Sequence, residues 1–377
     1  MILHIAADEK FIDTGFRIFE EVNPGQNRLI IITSEDAVRF VKNSPFEKRT
    51  RNELSTQDFS EYLEGFSTIV FHSLAFWNIN LPASVKVLWI GFGFDYYDLI
   101  CKNPNRLLLP KTTELRHFLN KDGKVKILLK KIPLIQTINR LKRGYRSKLK
   151  LINKIDFFAP VLNDEYDLVA NAVPRFRPNF VDWNYGTLED DLLKGFEDRK
   201  VIGNNILIGN SATYENNHLE AFDLLSVLDI KDRSLICPLS YGLPVYKDEV
   251  SRIGDDLFGN KFNALTNFMT IDEYINTLSS CSVVIMNHIR QQGLGNIIIM
   301  LYLGAKVFLR KENPIYGFFK NEGAKIFSIE DLELNRELIS EKITEEELII
   351  NRNILRKHWS RDVIQQKTKL FIDKITS

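Results

Sequence analysis

The chain has few cysteines, almost no net charge and no long apolar run, and each shortage closes off a class of function. Only three cysteines, Cys101, Cys237 and Cys281, occur in 377 residues. They lie far apart, and no CxxC pair or Cys/His cluster has the spacing of metal ligands. Neither a metal site nor a cofactor is therefore expected, and a reducing, cytoplasmic setting is the simplest. Cys237 and Cys281 sit in apolar segments and read as buried thiols. A formal net charge of +1 excludes a uniformly basic nucleic-acid binder, although it can hide local asymmetry. No stretch is long and apolar enough to cross a bilayer. The opening "MILHIAADEKF" has no basic n-region and no cleavage site, so it reads as a first strand rather than a signal peptide.

What is present is ordinary for a globular protein: 44% hydrophobic and 26% charged residues, with 26 phenylalanines spread through strand-like runs. The length suggests two domains, each able to bury its own core. Strands are expected at Ile2–Ala6, Arg28–Thr33, Thr68–His72, Val85–Gly91 and Ile155–Pro160, with helices such as Phe11–Val22 and Ser55–Glu64 between them. The strands are near-continuous apolar runs, the pattern of a parallel sheet covered on both faces. "NILIGN", "RSLICPL", "SVVIMNH" and "AKVFLR" repeat the style in the second half. Two doubly wound α/β domains follow, the boundary falling where residues 180–202 lose the strand pattern. The expected division is 1–185, 186–350 and a helical 351–377 that returns to the first domain.

From Lys121 to Lys150 the rhythm breaks, with eleven basic residues and one acid, Asp122, for a local charge of 11 − 1 = +10. Ile138, Leu141, Tyr145, Leu149 and Ile152 fall on one helical stripe, and Lys142, Arg143, Arg146, Lys148 and Lys150 occupy the rest. A solvated basic face is the plain reading. A helix lying on an anionic membrane surface, or facing a polyphosphate substrate, is the sharper one, and the charge excess favours the membrane.

In a parallel sheet, ligands bind beyond the carboxyl ends of the strands, where helix N-termini present free amides. "NHIRQQGLGN" lies in such a place. Arg290 can give a bidentate contact to phosphate, while Gly293 and Gly295 allow a tight entry into a helix whose N-terminus adds positive charge. His288 can assist, and Gln291, Gln292 and Asn296 suit the hydroxyls or amides of a sugar. In "ILIGNSATYENNHLEAF", Gly209, Asn210 and Ser211 let backbone amides approach an anion, and Asn216 or Asn217 can cap the following helix. In "LRKENPIYGFF", Glu312 and Asn313 can accept from ribose or sugar hydroxyls, and in "CPLSYGLP" Tyr241 can meet a base. Each group also has a structural reading: Arg290 paired with a carboxylate, Glu312 capping its own helix, His288 satisfied in the core. The first half supplies candidate bases after its strands, Asp8, His72 and Asp95, each more readily read as a cap or turn residue.

With "ILIGNSATYENNHLEAF", "RQQGLG" and "GAKVFLRKENP" in this order, the sequence resembles the bacterial TDP-N-acetylfucosamine:lipid II N-acetylfucosaminyltransferases, the 4-acetamido-4,6-dideoxygalactosyltransferases of enterobacterial common antigen assembly. The first half adds "VFH" at 70–72, Trp89, Gly93, Asp95 and Tyr97, and "PNFVD" at 178–182; "AADEKF" and residues 121–150 depart from the pattern. The resemblance implies a GT-B glycosyltransferase of two facing Rossmann-like domains, peripheral on the inner face of the bacterial inner membrane. It would move a 4-acetamido-4,6-dideoxyhexose from its dTDP derivative to a saccharide on undecaprenyl diphosphate. The second domain would hold the nucleotide and the first the acceptor. Arg290, the amides of Gly209–Ser211 and the helix near Gly295 would then balance charge on departing dTDP. Asp95, ahead of Asp8, would take the acceptor proton if configuration inverts. Two rivals stand: a two-domain nucleotide-sugar epimerase, and a non-catalytic scaffold that binds membrane or glycolipid.

Overall fold

The computed structural model describes residues 1–121, 123 and 144–376. Two compact units emerge, one from Met1–Lys102, Pro133–Asp191 and His358–Ser377, the other from Asn103–Ile132 and Leu192–Lys357. The chain thus leaves the first unit after Lys102 and again at 191/192, and returns finally at His358. It also assigns the helix Pro110–Leu119 to the second unit, although that helix precedes the boundary expected from the strand pattern. The reason is specific pairing: Thr112 donates from its amide and hydroxyl to Glu220 at 2.9 and 2.6 Å, and the Leu109 amide reaches Asn217 Oδ1 at 2.8 Å. Such polar contacts leave no trace in hydrophobic periodicity.

The first unit holds a seven-stranded sheet, β3-β2-β1-β4-β5-β6-β7, whose pairs are all parallel. Its strands are β1 Ile2–Ala6, β2 Asn27–Ile32, β3 Glu47–Arg49, β4 Thr68–His72, β5 Lys86–Ile90, β6 Phe157–Ala159 and β7 Asn179–Phe180. β1 and β4 are buried at all five positions, as their unbroken apolar character requires of a sheet covered on both faces. The second unit carries a six-stranded parallel sheet, β10-β9-β8-β11-β12-β13. Here β8 is Asn205–Ile208, β9 Leu235–Pro238, β10 Phe262–Leu265, β11 Cys281–Met286, β12 Lys306–Leu309 and β13 Phe327–Ser328. Strand order reverses between β1 and β4 in one sheet and between β8 and β11 in the other. Both are switch points, where the outgoing turns diverge and open a crevice.

The helix Arg361–Thr376 closes the first unit's core. Ile364, Phe371 and Ile372 join Ile18, Phe19 and Trp183, and the Trp183 indole donates to Thr368 Oγ1 at 2.8 Å. Arg361 grips Asp190 through two nitrogens at 2.8 and 2.6 Å.

The basic segment departs from expectation where it is described. Lys142 and Arg143 lie outside the described residues, as do Ile138 and Leu141. Arg146 and Lys150 are exposed. Lys148, however, does not face a membrane: it is 4% exposed, and its ammonium donates to the Asp95 carbonyl at 2.5 Å and to Asp98 at 2.6 Å. The buried face of the helix Tyr145–Ile152 is therefore Lys148, Leu151 and Ile152 rather than the apolar stripe alone. A buried ammonium needs paired acceptors, and Asp98 supplies one. Among the described residues no helix is long and apolar enough to cross a membrane.

The Phe371 ring, 3% exposed and edge-on to Phe157 at 5.9 Å, fixes the returning helix. Phe371→Ala should cost about 3–5 kcal/mol of stability, read from urea denaturation.

Candidate functional site

At the second switch point the Gly209 and Arg290 turns leave adjacent strands and interlock. The Gly209 amide donates to the Ile285 carbonyl at 3.0 Å. Asn216, 1% exposed, is the bolt between them. Its Oδ1 accepts the Asn210 amide and His288 Nε2, both at 2.9 Å, while its Nδ2 donates to Ser211 Oγ at 3.1 Å and Thr213 Oγ1 at 3.0 Å. Gln292 Nε2 adds donations to Asn210 Oδ1, Ser211 Oγ and Thr213 Oγ1 at 3.3, 3.2 and 3.0 Å. Asn217, at φ +49°, ties Leu109, Leu107 and Asn287 together. Neither asparagine caps the helix His218–Ser226 through its side chain.

These bonds reassign several residues expected to touch a sugar or phosphate. The Gly209 and Asn210 amides are already donated within the protein, so they do not serve an anion. Gln292 bridges the two turns instead of reaching a sugar. Asn313 caps the helix Pro314–Asn321, its Oδ1 accepting from Ile315 at 3.0 Å and its Nδ2 donating to the His288 carbonyl at 3.2 Å. Asn296 donates to the Tyr274 hydroxyl at 2.8 Å. Ser211, His288 and Gln291 are buried, and burial keeps the His288 imidazole neutral. Because its Nε2–H is given to Asn216, His288 is a structural donor.

What remains at the carboxyl end of β11 is suited to an anion. Gly293, at φ +69°, starts the helix Leu294–Leu303, which has no side-chain cap and no acidic residue in its first turn. The first helical amides, including that of Gly295, are thus presented with the dipole's positive end and no competing carboxylate on the same turn. Arg290 stands half-buried just before it, Nη1 on the Gln291 carbonyl at 2.8 Å. Glu312, exposed, pairs with Arg310 at 3.3 Å, and Tyr241, 47% exposed, follows β9.

In the first unit the three expected bases are engaged. Asp95 is 3% exposed and accepts from the Leu74 and Phe92 amides at 2.8 Å and the Trp89 indole at 2.7 Å; burial pushes its pKa up against the pull of these donors. Asp8 accepts three consecutive amides, Arg39, Phe40 and Val41, at 2.5, 2.9 and 3.0 Å. Asp13 takes the next three, Lys42, Asn43 and Ser44, at 2.8, 3.0 and 3.0 Å. Two carboxylates so fasten the whole irregular loop after β2. His72 is fully buried. Asn27 gives its Nδ2 to Glu20 at 2.8 Å, so its Oδ1 accepts from His4 Nε2–H at 3.3 Å; His4 Nδ1 then accepts from His72 Nε2–H at 2.8 Å, and Tyr185 donates to His72 Nδ1. This chain requires both imidazoles neutral; burial lowers the His4 pKa to about 4 and holds that of His72 well below its ordinary value.

Among the described residues no group of three or more His, Cys, Asp or Glu could hold a metal ion. Cys237 and Cys281 are buried, and burial pushes the Cys281 thiol up to about 12.

Residues 190–356 match the family model described as 4-alpha-L-fucosyltransferase, glycosyl transferase group 56. Among solved structures, a glycosyltransferase from Rickettsia africae superposes with a TM-score of 0.61 and 12% identity over 100% of this chain and 98% of that one. HepE of Anabaena, solved with UDP and glucose, gives 0.59 and 11% over 99% and 100%. The fold is therefore of GT-B type, and residues 190–356 resemble a glycosyltransferase domain. A separate likeness, 38% over 65 residues, is to the ribonuclease P protein component of Fusobacterium nucleatum. It takes in 17% of this chain and 52% of that protein, so the chain spans about half the length of the curated relative it matches.

Two outcomes follow from this geometry. A Cβ on Gly209, at φ +64°, would stand 2.6 Å from Asn216 Oδ1 and 2.8 Å from His218 Nε2, so Gly209→Ala should lose about 1–3 kcal/mol in chemical denaturation. His4, whose ordinary pKa of 6.5 falls to about 4 in the folded chain, contributes stability that is full above its unfolded pKa. That contribution, roughly 3 kcal/mol at most, disappears as pH falls through this window. The slope of unfolding free energy against pH should flatten there in His4→Gln.

Proposed function

We propose that this chain transfers a 4-acetamido-4,6-dideoxyhexose from its dTDP derivative to a saccharide on undecaprenyl diphosphate, at an anionic membrane surface. The observation that carries the donor side is the uncapped, acid-free N-terminus of the helix Leu294–Leu303 beside Arg290, at the β8/β11 switch point. Leu294, Gly295 and Asn296 amides and the Arg290 guanidinium together offer hydrogen bonds and positive charge to a diphosphate with no bound metal. Charge that builds on the leaving dTDP oxygen as the glycosidic bond breaks would be balanced there, a task for preorganised donors. In this reading Tyr241 would meet the base and Glu312 the ribose or sugar hydroxyls. The matched family supports a deoxyhexose donor. The exposed Arg146 and Lys150, with the sequence excess of cations around them, support an anionic surface as the place of work.

Calorimetric titration of wild type and Arg290→Ala with dTDP, UDP and GDP tests the donor side. dTDP should bind best, and loss of one charged contact should weaken it by about 1.5–3 kcal/mol. Equal binding by the variant removes Arg290 from the clamp. Absence of nucleotide binding, with retained sedimentation on anionic vesicles, would favour a membrane-bound scaffold. Conversion of the free nucleotide sugar to its epimer would make it an epimerase.

A further inference from the structure

Four acidic residues, Asp8, Glu9, Asp13 and Asp95, follow strands β1 and β5 in the first unit, and three of them are committed. Asp8 and Asp13 anchor the loop Arg39–Ser44, and Asp95 is sealed beneath Leu74, Trp89 and Phe92. Glu9 differs. It lies three residues past β1, beside Asp8, at the β1/β4 switch point, is only half-buried, and its carboxylate has no hydrogen bond among the described residues. Two residues on, Phe11 begins an aromatic shelf. Phe11 and Phe94 are each 50% exposed, and Phe92 joins them at centroid distances of 6.2 and 6.1 Å. Phe92 rests in turn on Tyr185, 4.8 Å away, which is held by the buried His72. Apolar rings with open faces next to an untethered carboxylate are a fitting chemistry for a sugar, which offers C–H groups to the rings and a hydroxyl to the base.

We propose that Glu9 is the catalytic base of the transfer, acting on a hydroxyl of an acceptor sugar carried by the Phe11–Phe92–Phe94 shelf. The inference rests on the glycosyl-transfer reading above. The acceptor oxygen forms the new bond to the donor's anomeric carbon and its proton passes to the Glu9 carboxylate. The bond from that carbon to the diphosphate breaks with its electron pair on dTDP, so the anomeric configuration inverts. Burial raises the pKa of Glu9, and the nearby charges of Asp8 and Asp95 add to the rise while Lys10 opposes it. A base of this kind works above an ordinary carboxylate's range, and turnover falls as pH drops through the raised value.

The test compares wild type, Glu9→Gln, Glu9→Asp and Phe94→Ala, each checked for dTDP binding and thermal unfolding. It uses the dTDP-linked 4-acetamido-4,6-dideoxygalactose with an undecaprenyl-diphosphate saccharide. Glu9→Gln should lose turnover by about 100-fold or more with dTDP affinity and melting unchanged, and Glu9→Asp should regain part of it. The acid limb of kcat should vanish in Glu9→Gln, the product should be inverted by NMR, and Phe94→Ala should raise the acceptor KM more than it lowers kcat. If wild type transfers sugar and Glu9→Gln stays within about threefold of it, or if configuration is retained, Glu9 is not the base while the transferase reading survives. If wild type binds no dTDP and transfers nothing, both fall together.

Discussion

Asn216 determines how the second unit can use its switch point. Strands β8 and β11 lie side by side and send their chains apart, which by itself would leave two mobile turns. One buried carboxamide, bonded at both ends, joins them, and Gln292 doubles the connection. The cost of burying these polar groups is offset in part by the bonds of Asn216 and of Gln292 Nε2, while His288 Nδ1 and Gln292 Oε1 are left without a partner among the described residues. With the turns locked, the helix Leu294–Leu303 begins at one defined place, and its amides and Arg290 are preorganised before any ligand arrives. Gly209 is required for the same reason, since the Asn216 and His218 side chains occupy the space a Cβ would need.

Much of the fold was legible because buried parallel strands advertise themselves. β1 and β4 fall on Ile2–Ala6 and Thr68–His72, as the apolar runs predict, and all four expected strands of the second half form. The missed strands explain themselves: β3 is charged Glu47–Arg49 at an edge, and β13 and β7 have two residues each. β10, Phe262–Leu265, is buried at its two ends but open at Asn263 and partly at Ala264, at the other edge, and so lacks the continuous apolar signature.

The candidate site was legible as a set of turns more than as a set of roles. Glycines and polar residues after strands correctly mark the turns, but a side chain's partner is a tertiary fact. Asn313, Asn296 and Gln292 carry the chemistry of sugar ligands and spend it on Ile315, Tyr274 and the neighbouring turn. Asp8 and Asp95 look like bases for the reason they make good anchors: a carboxylate accepts several amides at once. The one signal that separates Glu9 from them, the lack of a hydrogen bond to its carboxylate among the described residues, cannot be read from spacing. Lys148 shows the converse, a cation that sequence places on a solvated face and that Asp98 draws inside.

The return of the helix Arg361–Thr376 also sets an order of assembly. Ile364, Phe371 and Ile372 complete a core whose other members, Ile2, Ile18, Val70 and Trp183, are made long before them. During synthesis the second unit has all its strands out before the first can be finished. The first unit therefore waits, its sheet partly uncovered, while nearly half the protein emerges, and a chaperone that shields the face under Phe19 and Trp183 would act in that interval.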